Sequence, residues 1–256
     1  FLMLKVSHLG INIGGAHLKV IGVDKRNKVV LVDYISCAIW EGIEKLQAKI
    51  RNINNIINNN SVKCGITMSG EMCDNFKNRL IGAKILIKEC NNLRFKNFFY
   101  VSSQEVFTKK PNYKHLISLN WHSIGRFLEN KIENCIAIDF GSTTTDFICI
   151  KNNKIVNKFT DDYSRINNTE LLYTGFTRTP IFGVANQIDY NKKKLKIIPE
   201  FFSNTSDIYR VLGRLEKKID LDDTADKSRK NITQSLIRLS RSFGFDYKSK
   251  NLKKLK

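Results

Sequence analysis

A short pattern occurs twice in this chain, and its repetition narrows the fold more than any other feature. Gly10-Ile11-Asn12-Ile13-Gly14-Gly15-Ala16-His17-Leu18-Lys19-Val20 is one copy, and Ala137-Ile138-Asp139-Phe140-Gly141-Ser142-Thr143-Thr144-Thr145-Asp146-Phe147 is the other. In each, an apolar strand carries a polar residue near its end, a Gly-rich turn follows, and a second strand returns. One such hairpin is ordinary β structure. Two with matching order, each opening one half of the chain, mark an internal duplication.

The surrounding periodicity agrees. Residues 4–13, 17–24 and 28–36 read as a three-stranded meander with a turn at Asp24-Lys25-Arg26-Asn27. Ile43, Leu46, Ile50, Ile53 and Ile57 fall at helical spacing and predict a helix over 41–58. A strand is expected at 62–67, a helix over 71–88, a strand at 97–102 and a helix around 115–130. The order then restarts. Residues 135–140 read as a buried strand, 144–151 as its return, and 154–159 as a third strand after an Asn152-Asn153 turn. Helices are expected near 200–213 and 229–243. This predicts two α/β domains with mixed sheets, 1–133 and 134–256. The second is shorter and is expected to lack a final helix, and the basic stretch 248–256 reads as frayed.

Composition removes several alternatives. No apolar run approaches the roughly 18 residues of a membrane helix. The opening residues lack the apolar stretch and small-residue cleavage site of a signal peptide, with Met3 a candidate start. Six cysteines without a CxxC pair, and only 4 histidines, argue against a zinc site and favour a reducing, cytoplasmic location. The net charge of +19 raises nucleic acid as a partner. The basic residues are spread along the chain, however, and runs such as Ile53-Asn54-Asn55-Ile56-Ile57 reflect a general surplus of Lys, Asn and Ile. A positive field still attracts an anionic substrate.

The hairpins suit phosphate. Glycine admits positive φ and lets backbone N–H groups approach an anion. Hydroxyls at Ser142, Thr143 and Thr144 add donors, beside Gly14, Gly15 and Gly141, and Asn12 supplies a carbonyl oxygen. Asp139, with Asp146 in support, is placed to hold a hydrated Mg2+ that bridges phosphate oxygens. Facing one another, two such hairpins would clamp a diphosphate. A Walker loop is excluded because no GxxxxGK[ST] occurs, and a strand rather than a helix follows the first glycines, unlike a Rossmann turn.

These hairpins resemble the two phosphate motifs of the actin and sugar kinase superfamily. The resemblance implies an actin-like ATPase (ribonuclease H-like) α/β fold, with two duplicated domains flanking a cleft. Further segments resemble its hydantoinase/oxoprolinase-like branch, in the proteins linked to tetrahydromethanopterin-dependent C1 transfer. They are Ala38-Ile39-Trp40-Glu41-Gly42, Thr67-Met68-Ser69-Gly70-Glu71, Asn120-Trp121-His122, Tyr173-Thr174-Gly175-Phe176-Thr177-Arg178-Thr179-Pro180, Asp207-Ile208-Tyr209-Arg210-Val211-Leu212-Gly213 and Thr224-Ala225-Asp226-Lys227. The chain departs from the family at Asn12, where an Asp is usual.

Archaeal members of that family include a synthase of methanofuran biosynthesis. The resemblance therefore implies a transferase that joins the phenol of γ-glutamyltyramine to an aminomethylfuran diphosphate and releases diphosphate. The roles that follow are Mg2+ at Asp139 and Asp146, cations at Lys19 and Arg178, and a base at Glu71. Tyr173, Thr174, Gly175, Asp207 and Arg210 would contact substrate. Plainer readings stand beside these. Glu71 would cap a helix, Trp121 and His122 would be core, Thr224-Ala225-Asp226 would open a helix, and Asp207 would pair with Arg210 across a turn. On the same fold, an ATP-dependent kinase or an oxoprolinase-like hydrolase is the alternative.

Overall fold

The computed structural model describes residues 4–57, 59–102, 106–190 and 192–247. The basic stretch 248–256 lies outside them. The chain divides into two compact units, residues 1–137 with 148–167, and residues 138–147 with 168–256. The expected boundary near 133 therefore takes a different form, because 148–167 return to the first unit.

The first unit is built on the expected meander. Strands β1 (His8–Ile13), β2 (His17–Val23) and β3 (Val29–Ser36) pair antiparallel in sequence order. Asp24 shapes the turn after β2, its Oδ1 accepting from the amides of Arg26 and Lys28 at 2.8 and 2.9 Å, while Asn27 takes φ 60°. Helix α1 (Glu44–Ile56) crosses to β4 (Lys63–Met68), which pairs parallel with β1. Helix α2 (Arg79–Cys90) crosses to β5 (Lys96–Tyr100), parallel to β4, and a short β6 (Phe107–Thr108) closes the edge. The order β3-β2-β1-β4-β5-β6, with β2 antiparallel and β4 parallel to β1, is the ribonuclease H-like arrangement of the actin-like ATPases.

Leu9, Ile11 and Ile13 of β1, Cys64, Ile66 and Met68 of β4, Leu46, Ile50 and Ile53 of α1, and Ala83 and Leu86 of α2 form one core. A second core in this unit joins helix α3 (Asn120–Glu129) to Ile148 and Ile150 through Trp121, which is buried as expected. Gly125 gives the contact its room, because a Cβ would lie 2.8 Å from Ile155 Cδ1.

The second meander is β7 (Cys135–Phe140), β8 (Thr145–Lys151) and β9 (Lys154–Ile155). β7 lies on one edge of β8, and β9 and β10 (Leu171–Leu172) share the other. The turn at Asn152-Asn153 has both residues at positive φ, as a two-residue hairpin requires. β9 is shorter than the expected 154–159, because the Asn157 side chain replaces a ladder carbonyl by accepting from the Cys149 amide at 2.8 Å. A short α4 (Asp162–Asn167), a hairpin of β11 (Gln187–Tyr190) and β12 (Lys193–Lys196), α5 (Thr205–Val211) and α6 (Ile232–Arg241) follow.

Three expectations are corrected. The helix expected from residue 71 begins at Arg79, where Asn78 caps it by accepting from the Ile81 amide; residues 70–76 form successive turns instead. Thr224-Ala225-Asp226 opens no helix but sits in a turn, and α6 starts after Asn231. β7 is not a buried strand. Its Ile136, Ile138 and Phe140 are 69%, 62% and 45% exposed.

Ile66 sits fully buried at the centre of the first sheet. Ile66→Ala is expected to cost about 2–5 kcal/mol by leaving a cavity. Urea unfolding should show the midpoint falling with the slope unchanged.

Candidate phosphate-binding turns

Both hairpins turn in the same way. The Gly14 amide donates to the His17 carbonyl at 3.0 Å, and the Gly141 amide to the Thr144 carbonyl at 2.9 Å. Counting back from these bonds, Asn12 corresponds to Asp139 and Lys19 to Asp146. Asn12 and Lys19 are direct ladder partners, and the same count sets Asp139 opposite Asp146. The expected positive φ is not used, since Gly14, Gly15 and Gly141 lie outside that region. Glycine is needed for room: a Cβ on Gly14 would lie 2.9 Å from the His17 carbonyl oxygen, and one on Gly15 2.9 Å from Cys73 Sγ.

In each unit a later loop braces the turn from behind with a glycine. Gly70 lies so close to the first turn that a Cβ would sit 3.1 Å from Gly14 C and Gly15 N. The amides of Ser69 and Gly70 donate to the Ile13 carbonyl at 2.9 and 3.0 Å, and Ile39 donates to Gly15 at 3.0 Å. In the second unit Gly175 is closer still to Ser142 and Thr143, where a Cβ would collide with their backbone. Phe176 donates to the Gly141 carbonyl at 2.8 Å, and Thr177 and Arg178 to the Ser142 carbonyl at 3.2 and 3.0 Å.

The consequence is chemical. The carbonyls of Ile13, Gly15, Gly141 and Ser142 are occupied by amides from behind, so their negative ends are turned away. Among the described residues, the amides of Ser142, Thr143 and Thr144 have no backbone partner. Unengaged amides beside hydroxyls form an anion-binding concavity. Tyr173 is 48% exposed beside this turn, and Thr145 Oγ1 donates to the Thr174 carbonyl at 2.6 Å.

The Gly175 loop is held by α5. Thr205 Oγ1 donates to the Gly175 carbonyl at 3.0 Å, and Gly175 donates to Thr179 Oγ1 at 2.7 Å. Beneath lies a buried ionic frame. Asp207 Oδ1 accepts from Arg210 Nη1 at 2.9 Å and from Arg238 Nη2 at 2.6 Å; Arg210 also binds Asp220 at 2.7 Å. Asp207 and Arg210 thus pair across a helical turn, inside the unit, and position the loop. Arg238, which the sequence analysis did not single out, completes the frame and binds Asp226 at 3.1 Å. The Ser228 hydrogen bonds and Arg238 outweigh burial and draw the Asp226 carboxyl down to about 2. Arg178 is partly exposed with Asp222 Oδ1 at 3.9 Å, and Asp222 Oδ2 accepts from Thr177 Oγ1 at 2.8 Å.

Glu71 is no helix cap. It is fully buried in the first unit, and its Oε1 accepts from Ser118 Oγ at 2.7 Å while Oε2 has no hydrogen-bond partner among the described residues. Burial pushes the carboxyl above its ordinary value, Asp162 adds to the rise, and the Ser118 bond opposes it. Ser118 itself is held at φ 52°. Lys19 is exposed on β2.

Magnesium fits the donors of the second hairpin. Asp139 is half-buried and makes no hydrogen bond or ion pair among the described residues, with Asp146 opposite it on the ladder. Mg2+ takes one or two carboxylates and fills its remaining positions with water and phosphate oxygen. Among the described residues no group of three or more His, Cys, Asp or Glu is placed to hold a metal without such help.

Comparison with known proteins places these features in context. The hydantoinase/oxoprolinase family matches residues 121–241. The (4-{4-[2-(gamma-L-glutamylamino)ethyl]phenoxymethyl}furan-2-yl)methanamine synthase of Methanocaldococcus jannaschii is 30% identical over 246 residues, covering 93% of this chain and 72% of that protein. The protein of the same name from Methanococcus vannielii is 38% identical over 113 residues, 44% of this chain and 50% of its own length. Among solved structures, the ethanolamine utilization protein EutJ from Carboxydothermus hydrogenoformans aligns with TM-score 0.36 and 13% identity over 60% of this chain and 50% of its own. An exopolyphosphatase from Cytophaga hutchinsonii aligns with TM-score 0.37 and 12% identity over 63% and 53%.

Two outcomes are expected. A carboxyl whose folded pKa is raised contributes stability below its unfolded value, about 4.3, and loses it as pH rises through the folded value. Glu71→Gln should remove that loss, so the stability of the variant relative to the parent rises with pH above about 4.3, as read by urea midpoints across a pH series. Gly175→Ala should destabilise by about 1–3 kcal/mol, because backbone on both sides must shift; thermal unfolding measures it.

Proposed function

Because this chain belongs to the family of the (4-{4-[2-(gamma-L-glutamylamino)ethyl]phenoxymethyl}furan-2-yl)methanamine synthase of Methanocaldococcus jannaschii, we propose that it is an ether-forming synthase of methanofuran-type cofactor biosynthesis. The observation that carries this reading is the extent of the relationship, 93% of the chain. The name of the relative describes a phenol oxygen joined to a furan methylene. The bond to be made is therefore an aryl ether between a γ-glutamyltyramine-type phenol and an aminomethylfuran. With diphosphate as the leaving group, the methylene–oxygen bond of the furfuryl diphosphate breaks, the phenol oxygen bonds to that carbon, and diphosphate and a proton are released.

The furan stabilises positive charge at its exocyclic carbon, so the main demand on the protein is to receive the departing anion. Preformed donors serve that demand because they need not reorganise as charge develops. The amides and hydroxyls of Ser142, Thr143 and Thr144, backed by Gly141, are assigned to diphosphate oxygens. In the first unit the Gly15 amide is assigned the same task, with Gly14 shaping the turn through its bond to His17 and the Asn12 side chain beside them. Asp139, with Asp146, would hold Mg2+, whose charge stabilises the leaving oxygens.

Arg178 and Lys19 are assigned as cations. Tyr173 and Thr174 border the turn and are assigned to the substrate, while Gly175, Asp207 and Arg210 serve it by positioning the loop. A phenol with an ordinary pKa of about 10 must lose its proton as the ether forms. Glu71 is assigned as the acceptor, a role that requires Ser118 to release it. The hydantoinase/oxoprolinase match over 121–241 supports a second reading, a hydantoinase/oxoprolinase-like hydrolase, with an ATP-dependent kinase on the same fold beside it.

Incubation with Mg2+, γ-glutamyltyramine and the aminomethylfurfuryl diphosphate should release diphosphate and yield the ether by mass spectrometry. Asp139→Ala should lower turnover by about 100-fold or more with the far-ultraviolet circular dichroism unchanged. Full activity in that variant would remove Asp139 from the mechanism. Turnover that depends on ATP and yields no ether would replace the synthase reading by the second one.

A further inference from the structure

The glycines that brace the two turns are followed by residues of different character. After Gly70 comes Glu71, fully buried in the first unit; after Gly175 comes Phe176, which is half-buried. The residue before the turn glycine differs in the same way. Ile13 is 1% exposed in the core of the first unit, whereas its counterpart Phe140 is 45% exposed. A third ring joins these two in the second unit. Tyr209 stands four residues after Thr205 on α5, and Thr205 holds the Gly175 carbonyl, so Tyr209 lies on the helix face turned to that loop.

The three rings form a corner. Phe176 and Tyr209 have centroids 4.3 Å apart and planes 31° from parallel. Phe140 stands across both, at 5.4 Å and 72° to Phe176 and at 6.4 Å and 77° to Tyr209. The corner adjoins the turn. Phe140 directly precedes Gly141, and the Phe176 amide donates to the Gly141 carbonyl at 2.8 Å. Two Cα steps of about 3.8 Å separate Phe140 from Ser142, whose amide has no backbone partner among the described residues. Side chains alternate along a strand, so Asp139 and Phe140 flank the turn from opposite faces of β7. An anion held at the turn would meet a carboxylate-bound ion on one side and aromatic rings on the other.

Resting on the synthase reading above, we infer that Phe140, Phe176 and Tyr209 form the subsite for the furan ring of the diphosphate donor and disperse the positive charge that develops on it. A single methylene joins that ring to its diphosphate, so the ring must lie beside whatever receives the anion. The aromatic surface beside the amides of Ser142, Thr143 and Thr144 is this corner. As the methylene–oxygen bond breaks, its electron pair leaves with the diphosphate and positive charge spreads into the furan. Aromatic faces carry negative potential and attract such charge. The phenol oxygen then bonds to the methylene and releases its proton.

Calorimetry on the full chain with Mg2+ separates ring from anion, with aminomethylfurfuryl diphosphate and inorganic diphosphate as the two probes. The parent should bind the furfuryl compound about 10-fold more tightly. Phe176→Leu and Tyr209→Leu should each remove most of that difference and leave the affinity for inorganic diphosphate unchanged. Tyr209→Phe, which keeps the ring, should restore it. In the ether-forming assay Phe176→Leu and Tyr209→Leu should also lose about 10-fold in kcat beyond any rise in KM. Equal binding of the two probes by the parent, binding of neither, or variants, folded by circular dichroism, that weaken both probes alike or neither would each overturn the inference. If the probes separate as expected but the parent forms no ether, the synthase reading fails and the ring subsite stands.

Discussion

Everything in the two turns depends on backbone approaching backbone more closely than any side chain permits. Gly70 lies against Gly14 and Gly15, and Gly175 against Ser142 and Thr143. The approach lets amides from the bracing loops reach the carbonyls of Ile13, Gly141 and Ser142. A peptide turn normally offers both poles of its dipoles. Here the negative poles are engaged from behind, and the positive poles remain. The polarity of the turns is therefore set by two loops far apart in sequence, rather than by the Gly-rich stretch alone.

This explains what was legible in the sequence and what was not. The first meander was readable because alternating apolar residues and the Asp24 turn act locally. Pairing of Asp207 with Arg210 was readable for the same reason, at i and i+3. The arrival of Arg238 from α6 was not, because it depends on tertiary packing. Glu71 read as either a base or a helix cap, since an acid before an apolar run ordinarily opens a helix. The structure buries it because residues 70–76 turn back beneath the β1–β2 hairpin instead of continuing α2. β10 and the β11–β12 hairpin left no signal: the first has two residues, and the second is dominated by lysine.

The buried ionic frame has a specific task. Three arginine nitrogens converge on Asp207 Oδ1, and Arg210 and Arg238 are then shared with Asp220 and Asp226. Such arrangements gain little over apolar packing in stability. They do fix direction. α5 is only seven residues long and meets the Gly175 loop with its first turn, so its orientation decides where Ser142 and Thr143 sit.

The ladder position two residues before each turn glycine holds Asn12 in one hairpin and Asp139 in the other, and their cross-strand neighbours are Lys19 and Asp146. One backbone shape thus carries opposite polarity in its two copies. The first position pairs an amide with an ammonium side chain, and the second sets two carboxylate side chains on one ladder rung. The hairpin backbone thus fixes where the pair stands and leaves its chemistry to the side chains placed there.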